Sequence, residues 1–213
     1  MLNVVCLLRQ GGKVNYDATW VEKLKRGVER NLTIPHRFIC FSDCDVPCER
    51  IPLLSGDHGF WSKLQMFQPG TLTGPTLYLD LDTVICQNIN EIVYRLQDQN
   101  FVMWLEADKN IHSSAFMFWQ GDHSYLWSTF KNYPLEHWES LYGVPPLYGD
   151  QAIVSENTQH TLLTDHCPTS WFHIASYKDL QRDLSNIKIL MFRKVSQKPS
   201  KMLDHPLVAQ HWV

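Results

Sequence analysis

The sequence predicts an α/β fold: one domain whose mixed, mainly parallel central sheet is flanked by helices. Two observations carry this. Strand-like apolar runs alternate with an amphipathic helix over residues 3–42, and a later run, Leu77-Tyr78-Leu79-Asp80-Leu81-Asp82-Thr83-Val84-Ile85, has strand character and delivers two carboxylates one residue apart.

Asn3 to Leu8 is a short continuous apolar run, as a buried strand requires, and Gly11-Gly12 breaks it. From about Asp17 to Arg30 a helix is expected, with Trp20, Val21, Leu24 and Val28 on one face and Glu22, Lys23, Lys25 and Glu29 elsewhere. Pro35 ends that unit, and Arg37 to Ser42 reads as the second strand. A β-α-β unit of this length favours a parallel pair with a right-handed crossover. Phe60 to Phe67 reads as a short helix with Phe60, Leu64 and Phe67 on one face. Pro69-Gly70 and Gly74-Pro75 bracket a turn before the third strand, Leu77 to Leu79. A helical stretch follows near Glu91 to Leu96, then strands at Phe101 to Leu105 and Ala115 to Trp119. Gly149-Asp150-Gln151 opens another helix, Gly and Asp suiting its N-terminal turn. Ile187 to Phe192 is the last strand, and 193–213 form a Lys/Pro/Ser-rich tail, a candidate lid. There is no internal repeat, and 1–213 reads as one domain.

The net charge of −3 over 213 residues argues against a general nucleic-acid binder, which would carry a basic face. Charged residues at 19% and aromatics at 12%, with eight Trp, suit a globular protein that handles sugars or rings. No transmembrane stretch is visible, and the apolar start Leu2 to Leu8 is too short for a signal-peptide core, so a cytoplasmic location is expected. Cys40, Cys44 and Cys48 are spaced four apart but lack an obvious fourth zinc ligand. Cys6 and Cys40 lie inside apolar runs, where Cys behaves as a small core residue.

In an extended backbone, residues i and i+2 project to one side, which aims Asp80 and Asp82 at a common charged object. Two such carboxylates repel unless a cation sits beside them. The simplest is a hard divalent ion, Mn2+ or Mg2+, which usually arrives with a phosphate group. Open α/β sheets bind ligands beyond the carboxyl ends of their strands, where these residues fall. The plain alternative is a turn whose Asp side chains cap backbone N–H groups.

The D-x-D after an apolar strand, the upstream Trp61-Ser62-Lys63-Leu64-Gln65-Met66-Phe67 and the downstream Gly149-Asp150-Gln151 resemble GT-A type glycosyltransferases, in particular small bacterial and phage enzymes near glycosyltransferase family 8. Tyr16 before the amphipathic helix, Asn31 to Phe38, Phe41-Ser42-Asp43 and Ser113-Ser114 fit the same pattern, so the likeness runs from about Asn3 to Lys178.

The resemblance implies a single Rossmann-like GT-A domain that transfers a sugar from a nucleotide-sugar, UDP-linked in the family, to a saccharide or other hydroxyl acceptor. Asp80 and Asp82 would hold the metal against the diphosphate, and Lys63 would contact the donor. Read without the family, Lys63 is a solvated helix Lys whose truncation leaves stability unchanged. Asp150 and Gln151 match positions lining the sugar or acceptor pocket and carry the catalytic expectation, although a helix cap explains them equally. Arg9 and Tyr16 flank the loop that would seat the nucleotide, and Ser113 and Ser114 join that donor set, against a reading as ordinary loop residues.

The departure is at the C-terminus, where relatives often carry a Phe-His-Gly-x-x-Lys-Pro-like motif. Here Arg193 stands where a metal-binding His is expected, and a guanidinium cannot donate a lone pair. Either the metal has one fewer protein ligand, or Arg193 itself contacts the diphosphate with Lys198 sharing that task, or His205 or His211 supplies the ligand instead, or activity is lost. Two rivals remain. A haloacid-dehalogenase-type phosphatase shares D-x-D-x-V-I, but its motif sits on the first strand and its later acidic motif would need Asp where Val154 stands. A catalytically silent carbohydrate-binding relative is raised only by Arg193.

Overall fold

The computed structural model describes residues 1–213 apart from 13, 56–58, 107, 144–147 and 182, with positions 180 and 181 as backbone only. Strands β1 (Leu2–Leu8) and β2 (His36–Ser42) pair in parallel from Leu2 opposite His36 to Leu8 opposite Ser42. Helix α1 (Ala18–Asn31) makes the crossover. It starts where the Asp17 carboxylate accepts from Thr19 N at 2.9 Å. A cap of this kind contributes about 1 kcal/mol. The face expected to be apolar, Trp20, Val21, Leu24 and Val28, is buried. Burying each large apolar side chain stabilises by roughly 1.5–3 kcal/mol.

Strand β3 (Glu49–Pro52) extends the sheet beyond β2. Its Glu-Arg-Ile-Pro sequence hides it from a search for apolar runs. Charge and a proline are what an edge strand carries to avoid further pairing. The helix expected at Phe60 to Phe67 forms as a 3-10 segment, Gly59–Phe67, burying Trp61, Leu64 and Phe67. The D-x-D strand, β4 (Thr76–Leu79), is therefore fourth in chain order and lies beside β1.

After β5 (Val84–Ile85) and α2 (Asn90–Leu96), the strands β6 (Phe101–Glu106) and β7 (Ile111–Trp119) form a hairpin with an irregularity between Met103 and Trp104. Helices α3 (Ser124–Lys131), α4 (Leu135–Tyr142) and α5 (Asp150–Asn157) follow. Then come β8 (Thr161–Leu162), α6 (Leu163–His166), β9 (Phe172–Ile174), β10 (Ile189–Met191) and α7 (Pro206–His211).

The main sheet has the order β3-β2-β1-β4-β7-β6-β8. Only β7 runs against the rest, antiparallel to both β4 and β6. This is the mixed, mainly parallel sheet that the alternation of elements predicts. Side chains alternate between two cores. Val4, Cys6, Leu77 and Leu79 pack with α1 on one face, while Val5, Tyr78, Trp61 and Phe130 fill the other. Burial on both faces explains why β1 and β4 read as continuous apolar runs.

A second sheet, β5-β10-β9, has its own core, in which Val84, Leu190 and Phe192 meet Met202 and Val208 of the tail. The tail ends against α1: the Trp212 ring lies 5.0 Å from that of Trp20, and Arg30 donates to His211 O at 2.7 Å. Among the described residues no helix is long and apolar enough to cross a membrane.

Candidate active site at the carboxyl ends of the parallel strands

Strand β4 stops at Leu79. Asp80, Leu81 and Asp82 form a turn in which Thr83 N donates to Asp80 O at 2.9 Å. The extended-strand argument for aligning the two carboxylates thus gives way to a turn. What aligns them is their partners.

The Asp80 carboxylate accepts from the Tyr78 hydroxyl at 2.8 Å and pairs with the Lys63 ammonium at 2.7 Å. Asp82 accepts from the Tyr16 hydroxyl at 2.5 Å and pairs with the Lys198 ammonium. Each aspartate therefore holds one tyrosine and one lysine. Lys63 also donates to Ser114 Oγ at 3.1 Å and lies 3.7 Å from Asp150 Oδ2. Lys198 donates to Phe192 O at 3.0 Å, which fixes its ammonium beside Asp82.

Three carboxylates, Asp82 and Asp150 buried and Asp80 partly exposed, share this cluster with two ammonium groups. Burial raises the Asp82 and Asp150 carboxyls, against Lys198 and Lys63 respectively. Burial would lower the Lys63 ammonium, but Asp150 and Asp80 outweigh it and push it up to about 12. Burial first, and then the neighbouring aspartates, raise the Tyr16 and Tyr78 hydroxyls, so both stay protonated as donors.

Other expected site residues are placed differently. Arg9 is spent on the loops: it donates to Ser62 Oγ and to Leu54 O, each at 2.7 Å, and lies 3.8 Å from Asp43. Ser113 and Ser114 separate as strand neighbours do, and the Ser113 hydroxyl accepts from Ala115 N at 3.3 Å. Asp150 is buried in the cluster, whereas Gln151 lines a cavity beside α5.

Arg193 needs the largest correction. Its guanidinium donates to Glu106 at 2.5 Å and takes both oxygens of Asp108 in a fork, one at 2.7 Å. That fork holds the Asp108 carboxyl below its usual range. Among the described residues, neither candidate substitute, His205 nor His211, pairs with Asp82. His205 sits buried 3.5 Å from Asp179, and His211 is held at the end of α7 beside Arg30.

The sequence reading missed Tyr78, Glu106 and Asp108. Tyr78 had a signal, since residues two apart share a face and it precedes Asp80 by two. Glu106 and Asp108 had none, because their relevance comes from Arg193, distant in sequence.

No family model matches the sequence, and no curated protein matches it. Solved structures do match. An active-site mutant of LgtC superposes with a TM-score of 0.58 at 12% identity, over 98% of this chain and 96% of that one. The galactosyltransferase LgtC in complex with donor and acceptor sugar analogs gives 0.55 at 11% identity, again over 98% and 96%. The fold is that of GT-A glycosyltransferases. Glycosyltransferase GlyE of Streptococcus pneumoniae TIGR4 gives a TM-score of 0.63 at 12% identity, but this chain spans 56% of its length. In this GT-A fold the carboxylate–ammonium cluster occupies the edge where parallel α/β sheets take their ligands.

Proposed function

We propose that the chain is a metal-dependent glycosyltransferase that moves a sugar from a nucleotide-sugar, UDP-linked, to a hydroxyl acceptor. The observation that carries it is the cluster of Asp80, Asp82 and Asp150 with Lys63 and Lys198 at the carboxyl ends of a GT-A sheet. The donor set is hard oxygen, and the cluster carries one more carboxylate than ammonium, which fits Mn2+ or Mg2+. Among the described residues no third His, Cys, Asp or Glu completes a protein-only site, so phosphate and water oxygens would fill the rest. Asp80 and Asp82 would hold the ion, whose chemistry is to offset charge on the leaving diphosphate.

The chain's own residues do the rest. Lys63 and Lys198 add fixed positive charge beside the diphosphate, where the transition state becomes more negative. Tyr16 and Tyr78 hold the aspartates in place. Tyr16 and the β1 loop anchored by Arg9 would flank the nucleoside. The acceptor oxygen bonds to the anomeric carbon as the bond from that carbon to the diphosphate breaks. The hydroxyl proton passes to the departing phosphate oxygen in a retaining route, or to Asp150 in an inverting one.

A thermal-shift panel of nucleoside diphosphates and nucleotide-sugars, in Mn2+ and in EDTA, tests this. UDP or a UDP-sugar is expected to stabilise the protein in Mn2+ alone. The proposal fails if no nucleoside diphosphate shifts the transition in either condition. One observation favours the silent-binder reading: Arg193, bound to Glu106 and Asp108, gives the metal nothing. Release of free sugar from the donor in Mn2+ would exclude it.

A further inference from the structure

A cleft of about 330 Å3 opens at the edge of the main sheet opposite to Asp80. Trp119, the last residue of β7, stands opposite both Thr76 and Phe101, the first residues of β4 and β6. The cleft therefore lies at the amino ends of these strands, whereas Asp80 follows the carboxyl end of β4. Small-molecule pockets span about 300–1,000 Å3, so this one suits a small ligand. Nothing in the proposed sugar transfer uses it.

The walls divide by chemistry. Met66, Phe67, Leu72 and Trp119 form an apolar side, with the Phe67 and Trp119 rings 5.0 Å apart. Gly70, Gly74 and Gly121, all at positive φ, make part of the lining bare backbone. Asp122 is the one carboxylate among the described lining residues, and no Lys or Arg is among them.

Asp122 Oδ1 accepts from Ser124 N at 2.8 Å. The Ser124 amide and hydroxyl hold this carboxyl below its usual range, so it is ionised at neutral pH. A carboxylate accepts about four hydrogen bonds, so capacity remains. His123 is spent: its Nε2 donates to Gln120 O at 3.1 Å and its Nδ1 faces the Tyr125 hydroxyl at 3.2 Å. A divalent metal would find one carboxylate there and no imidazole. An anion would lose its water beside Asp122 with no cation to neutralise it. The start of α3 adds roughly half a positive charge, which an ionised Asp122 more than cancels. These walls suit a positive group on an apolar body.

We infer that this cleft binds an organic ammonium ion, an alkyl- or arylalkylamine, whose charged head pairs with Asp122 while its body lies along Phe67, Leu72 and Trp119. The site is separate from the donor and acceptor chemistry proposed above and does not depend on it.

The test titrates phenethylamine, cyclohexylamine and hexylamine against the full chain by saturation-transfer NMR and calorimetry at neutral pH, each beside an alcohol and a carboxylate of matching shape. At least one amine is expected to bind, about tenfold or more tighter than its two counterparts and more weakly as salt rises. Asp122→Asn keeps a side chain that caps α3 but removes the charge, and Thr73→Trp puts a large ring into the cleft from an exposed position. Each should weaken the amine about fivefold or more while the melting temperature stays at the wild-type value. The inference is overturned if no amine binds below about 10 mM, or if the alcohol binds as tightly. It is overturned equally if either variant holds the amine as the wild type does, which would move the amine to another carboxylate such as Asp80.

Discussion

Lys198, near the end of the chain, holds the carboxylate of Asp82 just as Lys63 holds that of Asp80. The tail is thus docked at two places, at Asp82 and, through Trp212 and His211, on α1. A lid in which the whole of 193–213 swings free is harder to reconcile with this than a local exchange. In that exchange, on the proposed function, Lys198 would turn from Asp82 to the diphosphate if Asp82 took up a metal.

Lys198→Met tests the exchange. Removing one partner of a buried ion pair costs about 3–5 kcal/mol, so the melting temperature without metal should drop. Freed of its competitor, Asp82 should bind Mn2+ more tightly in an EPR titration, and added Mn2+ should recover part of the lost stability. UDP affinity should fall at the same time. An Mn2+ affinity equal to that of the wild type would rule out competition.

Lys63→Ala reverses an expectation drawn from sequence. A solvated helix lysine would be neutral in stability, but Lys63 is only 12% exposed and lies between Asp80 and Asp150. Its loss leaves the buried Asp150 carboxylate without its cation, at a cost of about 3–5 kcal/mol. Thermal denaturation should show a clear loss of stability, and Mn2+ should restore only part of it. A melting temperature within a degree or so of wild type would return Lys63 to the surface.

Gly149→Ala should disturb the start of α5. Gly149 has φ +65°, and a Cβ there would lie 2.5 Å from the Phe60 ring. The strain and the clash both fall on the residue before Asp150. A destabilisation of about 1–3 kcal/mol is expected, accompanied by weaker turnover, whereas Gly121→Ala, also at positive φ but 3.6 Å from its nearest neighbour, keeps turnover. Equal activity in Gly149→Ala and wild type would show that Asp150 tolerates the shift.

His160 supplies a pH dependence. Burial, reinforced by His112, holds its imidazole below the ordinary value despite the Thr158 carbonyl. The unfolded chain then takes the proton first, so the stability His160 contributes is present above about pH 6.5 and is lost as pH falls through its folded value. Asp82 and Asp150, with raised carboxyls, act in the opposite sense, so the informative quantity is a difference. Between about pH 6.5 and 5.5 the wild type should lose more melting temperature than His160→Gln. Parallel curves would show that His160 is not the group responsible.

The sequence by itself determined the elements whose physics is local. The apolar runs of β1 and β4, the amphipathic face of α1 and the Gly-Asp start of α5 each follow from periodicity or backbone preference within a few residues. The D-x-D pair was legible for the same reason: it interrupts an apolar run. Strand β3 was not, because an edge strand carries charge and proline rather than an apolar signature. What tertiary structure alone decided is the pairing of distant charges. Lys198 meets Asp82 because the chain returns after β10, and the same return delivers Arg193 to Glu106 and Asp108 instead of to Asp80 and Asp82. A charged side chain has no periodic imprint. Its partner is settled by which strand ends the fold brings together, and burial there turns a short-range contact into the dominant electrostatic fact of the site.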